Sequence, residues 1–342
     1  MAAEFICIGD LHLTTSNAKG GLRGGLSAYV KNHDEFVIDL IKDQPLRYAA
    51  KRGIKNIFLL GDLCEHTRLS YEGQLSLMSL LKIDRFHFHI ILGNHDLFGA
   101  DPTLGHSLQI IKAMNMKNVS IYEDVSDVDV DGAPVRFLSW PNNKFSKSRL
   151  NVAHIDVKGA RSDSGRIFDK DDLPASNAVA VIGHIHTNQK VRNTHYTGTL
   201  YQTTFGESEN KFFHHVIYED GIFEIENIAV KPVYRLHTIE VSNKKDLRDI
   251  PSSPNDLVKL ILLPGCSITA ADYAHLNVQR VRATSTDRDV ALARVEDLTN
   301  GGSEISISTN EFFSEWLRNQ SAPKELKKRA YKLRSVILDG KL

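Results

Sequence analysis

Apolar and polar positions along the first two thirds of the chain fall into two repeating patterns. Short unbroken apolar runs, Phe5-Ile6-Cys7-Ile8, Ile57-Phe58-Leu59-Leu60, Ile90-Ile91-Leu92 and Val179-Ala180-Val181-Ile182, have the length and composition of strands buried on both faces. Between them, residues 34–41, 71–83 and 104–114 carry apolar side chains at helical spacing; in the last these are Leu104, Leu108, Ile111 and Met114. Further strands are expected at residues 135–139, 151–154 and 213–218. The alternation predicts a layered α/β (α+β) domain over residues 1–230, with sheets inside and helices outside. Near Pro232 the pattern changes. Residues 234–241 alternate polar and apolar, Pro251-Ser252-Ser253-Pro254 reads as a turn, 258–263 and 278–283 read as strands, and 268–276 as a short helix. A small α+β domain is therefore expected over residues 231–305. After Gly301-Gly302, residues 306–342 are expected to form a tail of two amphipathic helices. Thr309 or Asn310 caps the first, which carries Phe312, Phe313, Trp316 and Leu317; Ala322-Pro323 opens the second, with Leu326, Ala330, Leu333 and Ile337 at helical spacing.

The chemistry sits where the buried runs end. They lead into Gly9-Asp10-Leu11-His12, Gly61-Asp62-Leu63, Gly93-Asn94-His95-Asp96 and Gly183-His184-Ile185-His186, and a fifth strand-like stretch ends in Val152-Ala153-His154. Any one of these alone is an ordinary turn. All of them in order, at the carboxyl ends of neighbouring strands, converge on one crevice. Asp10, His12, Asp62, Asn94, His154, His184 and His186 are enough groups to hold two metal ions, and two ions imply hydrolysis of a phosphate ester. The mixture of carboxylate, amide and imidazole points to manganese, iron or zinc rather than calcium. Asp62 is the natural bridge between the ions. His95 follows Asn94 but points the other way, toward the scissile bond, where an imidazolium stabilises charge or protonates the leaving alkoxide.

Composition narrows the picture only a little. In 342 residues, 42 Lys and Arg balance 42 Asp and Glu, so no global field draws the chain onto nucleic acid or membrane. Contact with DNA must rest on local basic patches, on the metals or on a partner. Residues 19–25, with Arg23, form a basic loop after the first motif that either touches DNA backbone or is simply solvated. Cys7, Cys64 and Cys266 are too few and too scattered for a disulfide framework. No apolar run approaches membrane-spanning length and the N-terminus has no signal region, so a soluble, cytoplasmic protein is expected. His87, His89, His106, His195, His214, His215, His237 and His275 read as structural.

The five blocks resemble those of the calcineurin-like metallophosphoesterases. Within that superfamily, Tyr196-Thr197-Gly198-Thr199-Leu200, Phe205-Gly206-Glu207 and Lys211-Phe212-Phe213 are similar to the "Gly-Ser … Phe-Gly-Glu … Lys-Gly-Phe" stretch of the SbcD nucleases. Those are the bacterial and phage counterparts of the eukaryotic double-strand-break repair nuclease. The motif resemblance covers about residues 5–218, and the size, small second domain and helical tail fit a compact phage-type member.

The resemblance implies a two-sheet metallophosphoesterase sandwich flanked by helices, then a small cap domain and a tail. It implies a manganese-dependent DNA nuclease, exonuclease or endonuclease, acting with an SbcC-like ATPase in recombination or repair. It gives one ion to Asp10, His12, Asp62 and His186, the other to Asp62, Asn94, His154 and His184, and the catalytic, non-ligand role to His95. The chain departs from the pattern three residues after the bridging aspartate, where a second active-site histidine is usual: Glu65 stands there and His66 follows, which leaves open whether His66 acts at the site or on DNA. Thr199 and Phe212 replace a usual Ser and Gly. The tail would dock on the ATPase coiled coil or pack on its own domain, and a homodimer through first-domain helices is expected. A small-substrate phosphodiesterase or protein phosphatase with the same metal core, and a metal-free binding module with a decayed site, are the competing readings. The Phe205-Gly206-Glu207 stretch and the extra domains speak against the first, and the intact ligand set against the second.

Overall fold

The computed structural model describes residues 2–13, 25–67, 69–99, 104–170 and 178–284. These form two compact units: the described residues up to Thr238 together with Pro254–Leu257, and Ile239–Ser253 together with the described residues from Val258.

The apolar runs of the first unit become the central strands of a sheet. β1 (Ala3–Ile8), β2 (Asn56–Leu59), β3 (His87–Ile91) and β4 (Val119–Tyr122) lie side by side and parallel. Side chains alternate across a strand, so one run serves two cores. Ile6, Ile8, Ile57, Leu59, Phe88 and Ile90 face a layer of helices. Phe5, Cys7, Phe58, Leu60 and Ile91 face a second sheet. That double burial is why these strands are apolar throughout. The helical layer includes α1 (His33–Ile41), α2 (Arg47–Arg52) and α3 (Tyr71–Leu81). α3 starts where Ser70 accepts a hydrogen bond from the Gly73 amide, 2.9 Å away, a side-chain N-cap.

The second sheet contains β5 (Ser126–Val130), β6 (Ala133–Leu138), β7 (Leu150–His154), β8 (Ala180–Gly183), β9 (Gln189–Val191) and β10 (Thr194–Tyr196), in the order β5-β6-β7-β8-β10-β9. Val135, Phe137, Val152 and Val181 meet the first sheet. Its other face packs Leu138, Ala153, Ala180 and Ile182 against Ile155, Val157, Ala160 and Phe168 of the loop after β7. β11 (Lys211–Glu219) returns antiparallel to β1, and β12 (Ile222–Val230) pairs with it in turn. The layered α/β domain expected from the alternation, and the two-sheet sandwich the resemblance implies, are thus the architecture found.

The other unit has its own apolar cluster, with Val241, Leu247, Val258, Leu260, Leu262, Cys266 and Val281. A three-stranded sheet runs β13 (Arg235–Val241), β14 (Asp256–Leu262), β15 (Val278–Ala283). Two expected helices come out shorter. Residues 104–114 give only α4 (Gln109–Ala113), because Gly105 takes φ +98° and His106 bridges back to Leu97; Leu108 and Ile111 are buried while Leu104 and Met114 stay exposed. Residues 268–276 give one 3₁₀ turn, Ala270–Tyr273, fixed by a capping box of Thr269 and Asp272. Among the described residues no helix is long and apolar enough to cross a membrane. Arg23 and the tail expected over 306–342 lie outside the described residues.

Candidate metal centre

Parallel pairing places the carboxyl ends of β1, β2 and β3 at one edge of the first sheet, with those of β7 and β8 at the adjoining edge of the second. The turns that follow these strands are pinned to one another. The amides of Leu11 and His12 both donate to the Asp62 carbonyl at 3.0 Å. Asp96 accepts from the amides of Cys64 at 3.0 Å and Gly93 at 2.9 Å. Asp10 Oδ1 accepts from the His184 amide at 2.8 Å, and Asp62 Oδ1 from the His95 amide at 2.9 Å.

Backbone strain gathers at the same place. His12, Asp62 and His184 hold φ of 49°, 46° and 86°. Such values are uncommon for residues with a side chain and persist where the surroundings over-determine them. Gly61 combines φ +87° with crowding, since a Cβ there would lie 2.6 Å from His154 Nδ1 and 2.7 Å from the Gly93 nitrogen.

The turns bring all seven expected ligands together. Donor atoms of Asp10, His12 and Asp62 lie within 4.8 Å of one another, and so do those of Asp62, His154 and His184. Asp10, His12, Asp62 and His154 are buried, while Asn94, His184 and His186 are half-buried. His12 Nε2 faces His186 Nε2 at 2.9 Å. His154 Nε2 faces Asn94 Oδ1 at 3.1 Å, Asp62 Oδ2 at 3.2 Å and His184 Nδ1 at 3.2 Å.

The far nitrogen of each ring meets an acceptor. His12 Nδ1 lies 2.8 Å from Glu65 Oε2, His154 Nδ1 2.8 Å from the Leu60 carbonyl, His184 Nε2 3.5 Å from Asp156 and His186 Nδ1 3.3 Å from Glu207. Carboxylates and carbonyls only accept, so they claim the ring proton and leave the inward nitrogen bare. Two bare nitrogens 2.9 Å apart, and a third among oxygens, repel unless a cation lies between them. Asp10 Oδ2 is also buried with no hydrogen-bond partner. These donors fit a pair of metal ions.

Without metal, protons answer the same demand. Burial opposes charging of His12, but Glu65, Asp62 and Asp10 outweigh it and push its pKa up to about 9. His154 likewise rises to about 9, burial being overcome by Asp62 and Asp10. Burial also resists ionisation of Asp62, yet His154, His12 and His95 hold its carboxyl well below the usual range. His184, largely shielded from water and beside His154, falls to about 3.

His95 stands at the rim, half-buried, with Nδ1 donating to the Glu65 carbonyl at 2.7 Å and its ring edge-on to His12 at 5.4 Å between centroids. His66 is exposed beside Glu65. The residues behind the ligands carry weaker sequence signals: Glu65 shows only as a departure from the family pattern, and Glu207 only as part of the Phe-Gly-Glu motif. Glu207 Oε2 accepts from Lys211 Nζ at 2.6 Å, and that Nζ also donates to Thr199 at 2.9 Å and to the His186 carbonyl at 3.2 Å. Burial disfavours the Glu207 anion, but His186 and Lys211 hold it down to about 2. Asp163 accepts from the His186 amide at 3.2 Å. The signal for Asp96 was its place in the third motif, where it ties two turns together.

The profile of the family described as "Calcineurin-like phosphoesterase" matches residues 3–203. A stretch of 100 residues, 28% of the chain, is 29% identical to a phospholipase D from Phytophthora infestans, of which the match spans 6%. The family uses a dimetal centre to hydrolyse phosphoesters, and the match runs from β1 through every candidate ligand. The chain belongs to the calcineurin-like phosphoesterases.

Proposed function

We propose that this phosphoesterase is a DNA nuclease of the SbcD type, with Asp10, His12, Asp62 and His186 around one manganese ion and Asp62, Asn94, His154 and His184 around the other. The observation that carries this reading is where the SbcD-like stretch lies. From it, Glu207 and Lys211 reach His186 from behind, through Glu207 at 3.3 Å and the buried Lys211–Glu207 pair at 2.6 Å. Two residues of the SbcD-like stretch, Glu207 and Lys211, therefore stand directly behind a candidate ligand, which supports the reading.

When bound, the two ions supply an activated water and neutralise charge on the phosphoryl oxygens. The chain's own residues do the rest. Asp62 faces both halves of the site. Asp10 and Asp62 fix the neighbouring turns through backbone amides, so the donor set is in place before substrate arrives. His95, its Nδ1 proton held by the Glu65 carbonyl, delivers a proton from Nε2 to the leaving oxygen. An SbcC-like ATPase binding the tail, and a homodimer, complete the proposed assembly.

The test is cleavage of linear duplex and hairpin DNA with Mn²⁺, with and without the ATPase and ATP, beside a small generic phosphodiester. Cleavage of DNA is expected. Turnover of the small ester with no cleavage of any DNA would favour the second reading, a phosphodiesterase of small or lipid substrates, which the local likeness to a phospholipase D supports.

A further inference from the structure

Glu65 stands behind two histidines of the site, His12 through its carboxylate and His95 through its main-chain carbonyl. It is 3% exposed. Its Oε2 lies 2.8 Å from His12 Nδ1, off the line of a well-aligned hydrogen bond, and neither atom has another hydrogen-bond partner. Its main-chain carbonyl lies 2.7 Å from His95 Nδ1.

The segment that carries it is clamped from two sides. The Glu65 amide donates to the Leu13 carbonyl at 2.8 Å and the Leu13 amide to the Leu63 carbonyl at 2.9 Å, which ties it to the turn after β1. The Cys64 amide donates to Asp96, which ties it to the turn after β3. Glu65 therefore sits at fixed points on both neighbouring turns.

We infer that Glu65 is a positioning residue: its carboxylate orients His12 for the metal, and its carbonyl holds His95 in register with that metal position. An acceptor-only group on Nδ1 fixes the His12 tautomer, so that Nε2 presents its lone pair toward His186. A buried anion on the far nitrogen also strengthens the near nitrogen as a donor to a cation. Without the carboxylate the ring has no anchor at Nδ1, and either nitrogen can turn inward. The inference rests on His12 being a ligand of one ion; the identity of the substrate does not enter.

The test is Mn²⁺ binding to the full chain by calorimetry, with manganese resonance spectra to count bound ions, for wild type, Glu65→Ala, Glu65→Gln and His12→Ala. Wild type is expected to take two ions. Glu65→Ala should weaken one of them roughly 10–100-fold and leave the other unchanged. Glu65→Gln, which keeps an acceptor but no charge, should recover part of that loss. Wild-type binding of both ions by Glu65→Ala, with His12→Ala losing one, overturns the inference. So does loss of both ions from Glu65→Ala and Glu65→Gln together with collapse of their metal-free circular dichroism, since Glu65 would then be a support of the fold. If His12→Ala itself keeps two ions, the failure lies in the reading of His12 as a ligand, and the inference falls with it.

Discussion

His95 and Asp62 are joined by one hydrogen bond, from the His95 amide to Asp62 Oδ1 at 2.9 Å, yet they should fail differently. The His95 ring is held at the rim by the Glu65 carbonyl, whereas Asp62 lies 2% exposed between the two groups of donors. Replacing His95 by Ala is expected to lower cleavage by about 10²–10⁴-fold, the usual cost of losing a general acid, with both ions still bound. Replacing Asp62 by Ala should empty the site. Metal analysis beside single-turnover cleavage separates the two, and loss of metal from His95→Ala with retention in Asp62→Ala would exchange their roles. At this scale the sequence was most legible in its motifs. A Gly-Asp or Gly-His after an apolar run marks a strand end, and the parallel order of the strands brings such ends together. The carboxylates behind the ligands were not legible. Glu207 follows the His184 motif by more than twenty residues and Glu65 follows Asp62 by three, and no periodicity links a carboxylate to the ring it orients.

Elements position these residues through contacts too close for a side chain. A Cβ on Gly93 would lie 2.1 Å from Asp62 Oδ1 and 2.3 Å from the Asp62 nitrogen. Gly93→Ala must therefore push the turns after β2 and β3 apart. It is expected to weaken Mn²⁺ binding and to lower stability by ~1–3 kcal/mol, read by calorimetry and urea unfolding; wild-type behaviour in both would show that the turns have slack. Strands β3 and β11 carry a different liability. Burial, followed by the neighbouring His87, lowers His89 to about 3, and burial followed by His195 lowers His214 to about 3. Unfolded histidines take protons near pH ~6.5. Between there and about 3 the unfolded chain binds more protons, so stability is complete above the unfolded value and falls as the pH falls. Each such histidine contributes a slope of at most ~1.4 kcal/mol per pH unit. His89→Gln should flatten the fall between pH 7 and 5 in metal-free urea unfolding, and an unchanged slope would mean that His89 is protonated in the fold. The long, strongly periodic elements were readable from sequence: β1, β2, β8, α1 and α3 all lie where apolar spacing places them. Others were not: β9 and β10 have three residues each, too few to show a period, and β12 buries only Val230 along its length. The helix expected at 104–114 followed its spacing correctly at Leu108 and Ile111, but Gly105 in a positive-φ turn stopped it early.

For the molecule as a whole, balanced charge gives no long-range pull on DNA, so in the proposed reaction DNA would be held by the centre and the proposed partner. Removing residues 306–342 is expected to abolish co-purification with the ATPase while metal-dependent cleavage of short substrates persists, because every proposed ligand precedes residue 187. Unaltered complex formation would show that the tail does not dock. The metals themselves should contribute to folding. In the metal-free state protons on His12 and His154 must stand in for the ions, with His12 Nε2 still 2.9 Å from His186 Nε2 and Asp10 Oδ2 without a partner. An ion that binds only the folded chain stabilises it by ~2.7 kcal/mol at a hundred times its Kd. Mn²⁺ should therefore raise the unfolding temperature of wild type, and chelation should reverse the rise. The imidazole-rich donor set suits Mn²⁺ better than Mg²⁺, which prefers oxygen ligands and retains its water. Mg²⁺ at equal concentration should accordingly give a smaller rise and slower cleavage. Asp62→Ala, lacking the shared carboxylate, should show no rise with either ion. Equal stabilisation by Mg²⁺ and Mn²⁺, or a full Mn²⁺ response in Asp62→Ala, would mean that the ions bind somewhere other than among these imidazoles.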